Sequence, residues 1–397
     1  MMRRPARGIP VYNPDIYATD AIFDPYPHYA RLRELGPVVR LSKQRVYALP
    51  RFSECKTVLR DDTTFVSGKG VALNPIANRL SRGTTLNSDG AEHEQRRKLV
   101  AHRMLPRALR AISESVDEQA AQVVDCALGK GEIDGVADLA SALPLAVVPD
   151  LVGWPRDQRD RLLNWGGATF DVLGPLNRHW LTASPSSVQM LRFARRVVRH
   201  RSVIEGSLGH DVLMAADDGK LPHRECPPLM VDYVAPSLDT TISAISSAVH
   251  LFATHPEQWE ILKQNPDLIP NAVNEVVRYE SPLRAFTRKA ARETTISDTR
   301  IPAGSRVLVI YASANRDERE WDQPDTFDIR RDATRQLGFG HGAHACAGQG
   351  LARLETAAML RALVERVDRI ELTSPPTWAL NNIIRRHESL PIKLVGA

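Results

Sequence analysis

One cysteine near the C-terminal end of the sequence lies among glycines and histidines. The segment 339–348 reads Phe-Gly-His-Gly-Ala-His-Ala-Cys-Ala-Gly, and a helix-forming run follows it. Cysteine binds metal as the thiolate, and the free N–H groups at a helix N-terminus stabilise that charge. Glycine lets the backbone approach a flat partner closely. The pattern therefore predicts that Cys346 presents a thiolate to a bulky planar cofactor.

Three other kinds of site fit parts of the same peptide. Alternating glycines are found in nucleotide-binding loops, but that fingerprint should follow a strand and precede an acidic residue by about 20 positions. His341, His344 and Cys346 are zinc-ligand types, although structural zinc sites usually pair ligands across a longer spacer, and no second pair is evident. A cysteine–histidine hydrolase also stays open, although a nucleophilic cysteine needs no glycine cradle.

A long helix with a polar centre is predicted between Pro227 and His255. At 1.5 Å per residue it would be about 40 Å long, enough to cross a domain core. Pro236 in its interior should kink it, since proline removes one backbone hydrogen bond, and Asp239 and Thr240 follow closely. The alternatives are a solvated surface kink or a groove opened beside a cofactor. One face is apolar at helical spacing, through Met230, Val234, Leu238, Ile242, Ile245 and Val249.

Most of the remaining sequence has helical periodicity, with a few strand signals. Residues 38–41 and 45–49 predict a β-hairpin, and residues 306–311 predict another strand. Residues 272–279 predict a further helix. The fold class is therefore mainly α (α+β), with a few small sheets.

Composition is that of an ordinary globular protein, with 43% hydrophobic and 25% charged residues in 397. The four cysteines show no pairing pattern, which favours a reducing compartment. The basic N-terminal residues have no apolar segment behind them, and no run of 18 apolar residues is evident. We therefore expect a cytoplasmic protein that does not bind a membrane. We also expect no binding to nucleic acid, because the sequence has no recognition motif for it. The net charge of +5 favours an acidic partner protein.

The cysteine segment resembles the haem-ligand loop of cytochromes P450, Phe-Gly-x-Gly-x-His-x-Cys-x-Gly, and the resemblance extends over essentially the whole chain. It implies the P450 fold as a single domain over residues 1–397, with haem b as cofactor. Cys346 would be the axial thiolate ligand of the iron, which favours O–O cleavage. Phe339 would pack on the proximal haem face, and Gly348 would complete the loop. His344 would reach a propionate.

The resemblance also implies cations for the two haem propionates. His93 and Arg97 share one helical face in His-x-x-x-Arg spacing, and Arg288 lies in the segment Phe-Thr-Arg. Arginine suits carboxylates because of its fork of donors. We expect these three side chains and His344 to contact haem.

An acid–alcohol pair in the long helix is similar to the one that feeds protons to dioxygen in P450s. Here the pair would be Asp239 and Thr240, and Pro236 departs from the small residue that is usual near it. The resemblance implies a monooxygenase that hydroxylates or O-dealkylates its substrate with O2. The alternatives are a haem–thiolate enzyme that uses peroxide or rearranges its substrate, and a haem sensor without turnover.

A Glu-x-x-Arg sequence, Glu275 to Arg278, lies on the predicted helix at 272–279 and resembles the P450 motif of that form. An acid–base pair at i, i+3 can bond directly. The third member of the cluster would be Arg330. We expect these residues to be structural.

The resemblance also suggests which residues form the substrate pocket. Several segments are similar to soluble bacterial P450s that oxidise small aromatic acids, and Arg82, Thr84 and Thr85 could hold a carboxylate. Asp232 would repel it, which leaves phenols, neutral aromatics and terpenoids open. The predicted wall residues are Phe170, Val234, Ser237, Leu283 and Phe286, together with Val71, Leu73, Leu173, Leu380 and Ile383.

The implied electron donor is an acidic ferredoxin, reduced by an NAD(P)H-dependent ferredoxin reductase. Arg96, Lys98, Arg103 and Arg107 are candidates for its docking site. The resemblance further implies a monomer.

Overall fold

The computed structural model describes residues 8–397. It is 54% helical with small sheets, which confirms the predicted mainly α fold class. The α-helices are α1 Thr19–Phe23, α2 Tyr26–Leu35, α3 Phe52–Arg60, α4 Pro75–Leu80, α5 Gly90–Ala101, α6 Pro106–Lys130, α7 Ala142–Val152, α8 Leu162–Asp171, α9 Arg178–His200, α10 Leu208–Asp217, α11 Cys226–Thr254, α12 Pro256–Gln264, α13 Ile269–Tyr279, α14 Tyr311–Ala314 and α15 Gln349–Arg366.

Short 3-10 helices link several of these elements. They are His102–Met104, Arg159–Arg161, His223–Glu225, Pro266–Leu268 and Gly342–His344, and a π-helix, Gly135–Ala140, precedes α7. The strands are β1 Val11–Tyr12, β2 Val39–Leu41, β3 Val46–Leu49, β4 Phe65–Val66, β5 Glu132–Asp134, β6 Phe286–Ala290, β7 Thr294–Ile296, β8 Thr299–Ile301, β9 Arg306–Val309, β10 Val367–Leu372, β11 Thr377–Trp378, β12 His387–Ser389 and β13 Pro391–Gly396.

The largest sheet has six strands in the order β1-β2-β3-β9-β6-β4. β2 and β3 form the predicted antiparallel hairpin, with Arg40 opposite Tyr47. β3 pairs parallel with β9, and β9 pairs antiparallel with β6, which carries Arg288. A three-stranded sheet, β10-β13-β5, two hairpins, β7-β8 and β11-β12, and an isolated antiparallel bridge between Leu283 and Ile384 complete the β-structure of residues 8–397.

The strand predicted over residues 306–311 is two residues too long. β9 ends at Val309, and Tyr311 is the first residue of α14. The residues that follow the strand are apolar and buried, as the strand residues are. Burial alone does not distinguish a strand from a short helix, so the sequence pattern continued past the true end of the strand.

The long central helix is α11, and its bounds agree with the sequence prediction. Its N-terminal half packs in one apolar cluster through Met230, Val234 and Leu238, beside α7 to α10. Its C-terminal half packs in a second cluster through Ile242 and Val249, beside α6, α13 and α15. The helix is continuous across Pro236, so the predicted kink stays a prediction.

One helical stretch, Gly135–Val152, is long and apolar enough to cross a membrane. The expectation that the sequence holds no such stretch was therefore too strict. The stretch is 56% buried within the fold, as the core helix of a soluble protein is, and it contacts α11 and α6. By itself it is weak evidence for a membrane span.

Candidate active site

The cysteine segment is held open by two glycines with left-handed backbone conformation. Gly340 and Gly342 have φ of +70° and +73°. A Cβ on Gly342 would collide with the carbonyl oxygen of Leu59, at the end of α3. The Cys346 N–H donates to the Phe339 carbonyl oxygen at 2.8 Å and closes the loop. These glycines are required because other residues rarely adopt this conformation and a side chain at position 342 has no room.

Cys346 is exposed, and it lines a cavity of the fold. Burial raises the pKa of the Cys346 thiol, while the N–H groups of Gly348 and Gln349 and the guanidinium of Arg97 act in the opposite direction. α15 begins at Gln349. Its N-terminus therefore points at the sulfur, as the sequence pattern predicts.

A single cavity, with about 240 Å³ of solvent-accessible space, joins this thiol to the central helix. Its wall contains each residue that the sequence analysis assigned to cofactor binding, together with the alcohol of the central helix. These are His93, Arg97, Arg288, Phe339, His344, Cys346, Gly348 and Thr240.

Nitrogen-bearing side chains converge on one part of this cavity. The rings of His93 and His344 lie 4.1 Å apart, and His344 Nε2 lies 3.7 Å from Asp89 Oδ1. Burial, with His344 and Arg97, lowers the pKa of His93 to about 4, so His93 is a neutral donor at pH 7. The Arg97 guanidinium donates to the Ala345 carbonyl oxygen at 2.7 Å, and Arg288 is buried on β6.

This donor set fits a haem. The cavity offers one thiol as an iron ligand and four N–H-bearing side chains for the propionates, with the small residues Gly338, Gly340 and Gly348 on its wall. Within residues 8–397, no three His, Cys, Asp or Glu side chains are grouped as metal ligands, so the zinc alternative has no supporting geometry. The residues present therefore suit a planar cofactor whose metal needs one protein ligand.

Asp239 and Thr240 lie in different surroundings although they are adjacent. Thr240 lines the cavity, and its hydroxyl donates to the Pro236 carbonyl oxygen at 2.6 Å. Asp239 is 1% exposed, and its Oδ1 lies 2.9 Å from Arg386 Nε as an ion pair without hydrogen-bond geometry. Burial raises the pKa of Asp239, and Arg386 opposes this shift. Sequence reasoning missed Arg386, since no spacing links it to α11.

Four of the five principal substrate-wall predictions lie on the cavity, namely Phe170, Ser237, Leu283 and Phe286. Val234 is not among the lining residues, and its side chain is fully buried in the cluster with α7 to α10. The secondary candidates are also not among the lining residues. Val71, Leu173 and Ile383 pack in the core cluster against the large sheet, Leu73 packs against the N-terminal cluster, and Leu380 is exposed.

The third member of the Glu-x-x-Arg cluster is Arg331, not the predicted Arg330. Glu275 and Arg278 form a fully buried bidentate pair with N–O distances of 2.7 and 2.8 Å. Arg331 Nε lies 3.3 Å from Glu275 Oε1, while Arg330 is exposed. The segment 328–331 turns, with the Arg331 N–H donating to the Asp328 carbonyl oxygen, and this turn shifts the inward side chain by one residue.

The carboxylate site considered for the substrate is not assembled. Arg82 is exposed, and the Thr84 hydroxyl is already bonded to the Ser81 carbonyl oxygen at 2.9 Å. Thr85 lines the cavity, but so does Asp232.

Two of the proposed docking cations are also engaged elsewhere. Arg96 is buried and pairs with Glu225 at 2.8 Å, and Arg103 pairs with Asp211 at 2.9 Å. Lys98 and Arg107 are exposed.

Comparison with known proteins gives a family that matches this geometry. A sequence profile of cytochrome P450 matches residues 190–382. The chain is 35% identical over 394 residues to cytochrome P450 CYP199A2 of Rhodopseudomonas palustris, which covers 98% of this chain and 96% of that protein. The chain belongs to the cytochrome P450 family. This P450 is also 31% identical to the cytochrome P450 monooxygenase PikC of Streptomyces venezuelae, over 99% of this chain and 97% of that one.

Solved structures agree with the assignment. CYP109Q5 from Chondromyces apiculatus is 30% identical to this P450 and superposes with a TM-score of 0.82, over 97% of this chain and 99% of that one. The protein is therefore a bacterial P450 with haem b as its cofactor and monooxygenation as its class of reaction.

Proposed function

We propose that this P450 uses electrons from a ferredoxin to hydroxylate or O-dealkylate a small aromatic substrate. The observation that carries the proposal is the single cavity that joins the Cys346 thiol, the Thr240 hydroxyl and an apolar wall. Phe170 and Phe286 on that wall favour a flat aromatic ring, since aromatic pairs gain beyond their area of contact. Haem b would supply the activation of dioxygen.

In this proposal Cys346 would ligate the haem iron through its thiolate, and Arg97, Arg288, His93 and His344 would hold the propionates. The four contacts would fix the orientation of the haem plane, because charge-assisted hydrogen bonds to carboxylates are strong and directional. Phe339 would pack on the proximal face, supported by the Arg353 guanidinium 4.4 Å from its ring centroid.

Protons would reach the cavity through Asp239 and Thr240. Asp239 is buried beside Arg386, and Arg386 lies 3.6 Å from the exposed Glu388. A proton could pass inward from Glu388 when Asp239 turns from Arg386 toward Thr240. Burial favours this exchange because it raises the pKa of Asp239 and makes its protonated form accessible.

The proposed electron donor is an acidic ferredoxin with its NAD(P)H-dependent reductase. Burial lowers the pKa of His341 in the cysteine segment, and Lys56 and Arg60 of α3 lie close enough to lower it further. Arg110 and Arg353 line a surface hollow beside the start of α15. This basic surface near Cys346, with the net charge of +5, supports an acidic partner. We also infer a soluble, monomeric, cytoplasmic enzyme.

The first test is the ferrous–CO difference spectrum of the haem-loaded protein. We expect the strongly red-shifted band of a thiolate-ligated haem. Cys346→Ala should abolish this band, whereas Cys126→Ala, which changes an exposed cysteine of α6, should leave it unchanged. A histidine-type band in the unaltered protein, or a thiolate band that survives Cys346→Ala, would refute the ligand assignment.

The second test is turnover with ferredoxin, reductase, NADH and O2, using aromatic compounds that convert the ferric iron to high spin. Hydroxylated or O-dealkylated product that depends on the ferredoxin supports the proposal. Product formed with hydrogen peroxide alone would favour the peroxide-using alternative, and a thiolate–CO band without any turnover would favour the sensor.

A further inference from the structure

An acidic side chain lies on the cavity wall, two helical turns from the proposed proton-delivery site. Asp232, Pro236 and Thr240 are spaced four residues apart on α11, and all three line the cavity. Eight residues of α-helix place the Cα atoms of Asp232 and Thr240 about 12 Å apart along the axis. A small molecule that reaches Asp232 with one end therefore extends the other toward the reaction site.

Within residues 8–397, the hydrogen bonds that this carboxylate accepts all reach one of its two oxygens. Asp232 Oδ2 accepts from the backbone N–H of Thr85 at 2.9 Å and, more weakly, from that of Leu86 at 3.4 Å. Oδ1 accepts none of the hydrogen bonds found within residues 8–397. The Thr85 hydroxyl, also on the cavity wall, makes no hydrogen bond of full geometry within residues 8–397, but it lies close enough to Asp232 to oppose the rise in the pKa of that carboxyl. An acceptor and a hydroxyl thus lie together at this end of the cavity.

Among the described residues of the cavity wall, no cation forms an ion pair with Asp232. Arg96 contributes positive charge to Asp232, but Glu225 and Glu92 bind it, and it does not line the cavity. The other cationic lining residues are those assigned to the haem. Burial raises the pKa of Asp232 to about 6, so the group is still mainly ionised at pH 7.

These surroundings decide which polar groups a ligand can carry at this end. A buried carboxylate with a free oxygen is a strong hydrogen-bond acceptor, and a donor left unpaired beside apolar walls is costly. A second carboxylate would meet like charge in a poorly solvated space, which disfavours both ionised forms. A hydroxyl group can donate to Asp232 and exchange a hydrogen bond with Thr85.

We propose that Asp232 determines substrate specificity, with Oδ1 accepting a hydrogen bond from a substrate hydroxyl or similar donor and with carboxylate-bearing substrates excluded. This rests on the proposed function and narrows its substrate class from small aromatic compounds in general to those that carry a hydrogen-bond donor, such as phenols. Asp232 does not take part in the reaction itself.

The test measures how tightly three para-substituted methoxybenzenes bind to the haem-loaded ferric enzyme. Binding is followed by equilibrium dialysis and by the change in the spin state of the iron. They are 4-methoxyphenol, 4-methoxytoluene and 4-methoxybenzoate. Opposite the shared methoxy group they carry a hydrogen-bond donor, an apolar methyl group and an anion, respectively. We expect the phenol to bind about tenfold more tightly than the toluene, since a hydrogen bond to a charged group has about this effect. The benzoate should bind most weakly. Equal or tighter binding of the benzoate, or binding of none of the three, would overturn the proposal.

Asp232→Asn tests the carboxylate with little change of shape. The preference for phenol over toluene should fall to within about threefold, and affinity for the benzoate should rise about tenfold because the like charge is gone. Asp157→Asn is the matched control, since it removes an exposed carboxylate that pairs only with Arg196 among the ion pairs of residues 8–397. An unchanged order of affinities in Asp232→Asn would refute the specificity role.

The wild-type ligand order decides the proposal even if Asp232→Asn fails to bind haem. The thiolate–CO band and product formation report separately on the monooxygenase function. A benzoate-preferring enzyme with a normal band would reject only the role of Asp232, whereas a missing band would reject the proposed function.

Discussion

Asp239 and Thr240 are adjacent on α11, but their side chains face different parts of the protein. Thr240 faces the cavity, where its hydroxyl is tied to the Pro236 carbonyl oxygen. Asp239 points between α8 and the C-terminal hairpin, close to Gly167 and Arg386. Successive helical residues are rotated by about 100°, so the pair can connect the cavity with the protein periphery. This geometry supports a relay and predicts separable effects of the two side chains.

Thr240→Ala should uncouple NADH consumption from product formation. Loss of the hydroxyl removes the proposed proton donor to the cavity, so we expect product per NADH to fall about tenfold or more while hydrogen peroxide rises, since positioned proton transfer typically contributes about 100-fold or more. The measurement is product, peroxide and NADH in one reaction. Thr240→Ser keeps the hydroxyl and should retain most of the coupling. Unchanged product per NADH in Thr240→Ala would exclude the relay.

Glu355 of α15 is a second buried acid, and the proposed reaction does not use it. It is fully buried, and neither carboxylate oxygen has a hydrogen-bond partner within residues 8–397. Burial raises the pKa of Glu355 to about 8. The folded protein therefore keeps this group protonated at pH 7, whereas the unfolded chain ionises it near pH 4.5.

This difference predicts how stability depends on pH. Between about pH 5 and 8 the folded state binds one more proton at Glu355 than the unfolded state does, so stability falls as pH rises, by up to about 1.4 kcal/mol per pH unit. Glu355→Gln lacks this contribution and should gain about 2 kcal/mol relative to wild type between pH 6 and 8, in urea unfolding followed by circular dichroism. The exposed Glu388→Gln is the control. Parallel pH profiles for Glu355→Gln and wild type would contradict the burial argument.

At the scale of elements, α13 is anchored to the segment before the cysteine loop by one buried charge cluster. Besides its pair with Glu275, Arg278 donates to the carbonyl oxygens of Asn315 and Pro324 at 2.9 and 2.8 Å. Arg331 adds bonds to Glu275 and to the carbonyl oxygens of Asp322 and Gln323. The cluster joins a helix to irregular chain, which has few backbone hydrogen bonds of its own.

Arg331→Ala and Arg330→Ala form a matched pair for this arrangement. Arg331→Ala should lower the free energy of unfolding by about 2 kcal/mol, because buried hydrogen bonds to a charged partner are lost. Arg330→Ala should change it by less than about 0.5 kcal/mol, as is usual for exposed positions. Both are measured by urea titration of the haem-loaded protein, and the reverse order would restore the assignment made from sequence.

Across the whole molecule, basic side chains lie on surfaces of two kinds. One face of α9 carries an exposed row of arginines that is typical of a solvated face, Arg192, Arg195, Arg196 and Arg199. Lys56, Arg60 and Arg110 instead lie near the cysteine loop and the start of α15. We infer one domain, since α11 contacts helices and strands from both halves of the chain.

Charge reversal near the cysteine loop should slow electron delivery. We expect Arg60→Glu combined with Arg110→Glu to reduce the rate of reduction by an acidic ferredoxin about tenfold at low salt, and to weaken its salt dependence. Stopped-flow reduction under CO measures this rate. Arg192→Glu combined with Arg195→Glu makes the same change of net charge on α9 and should have little effect. Equal slowing by both pairs would indicate a non-specific effect of charge.

The sequence was enough to identify the family and the central helix, and it predicted a set of residues that the structure brings to one cavity. The cysteine among glycines and the acid–alcohol pair in an apolar helix are local patterns. Each lies within one continuous loop or helix, so its spacing in the sequence fixes its spacing in the fold. The tertiary structure alone decided the long-range partners. Arg386 reaches Asp239, Arg331 takes the place predicted for Arg330, and Val234 packs in the core, because the chain's path between distant segments sets which side chains meet.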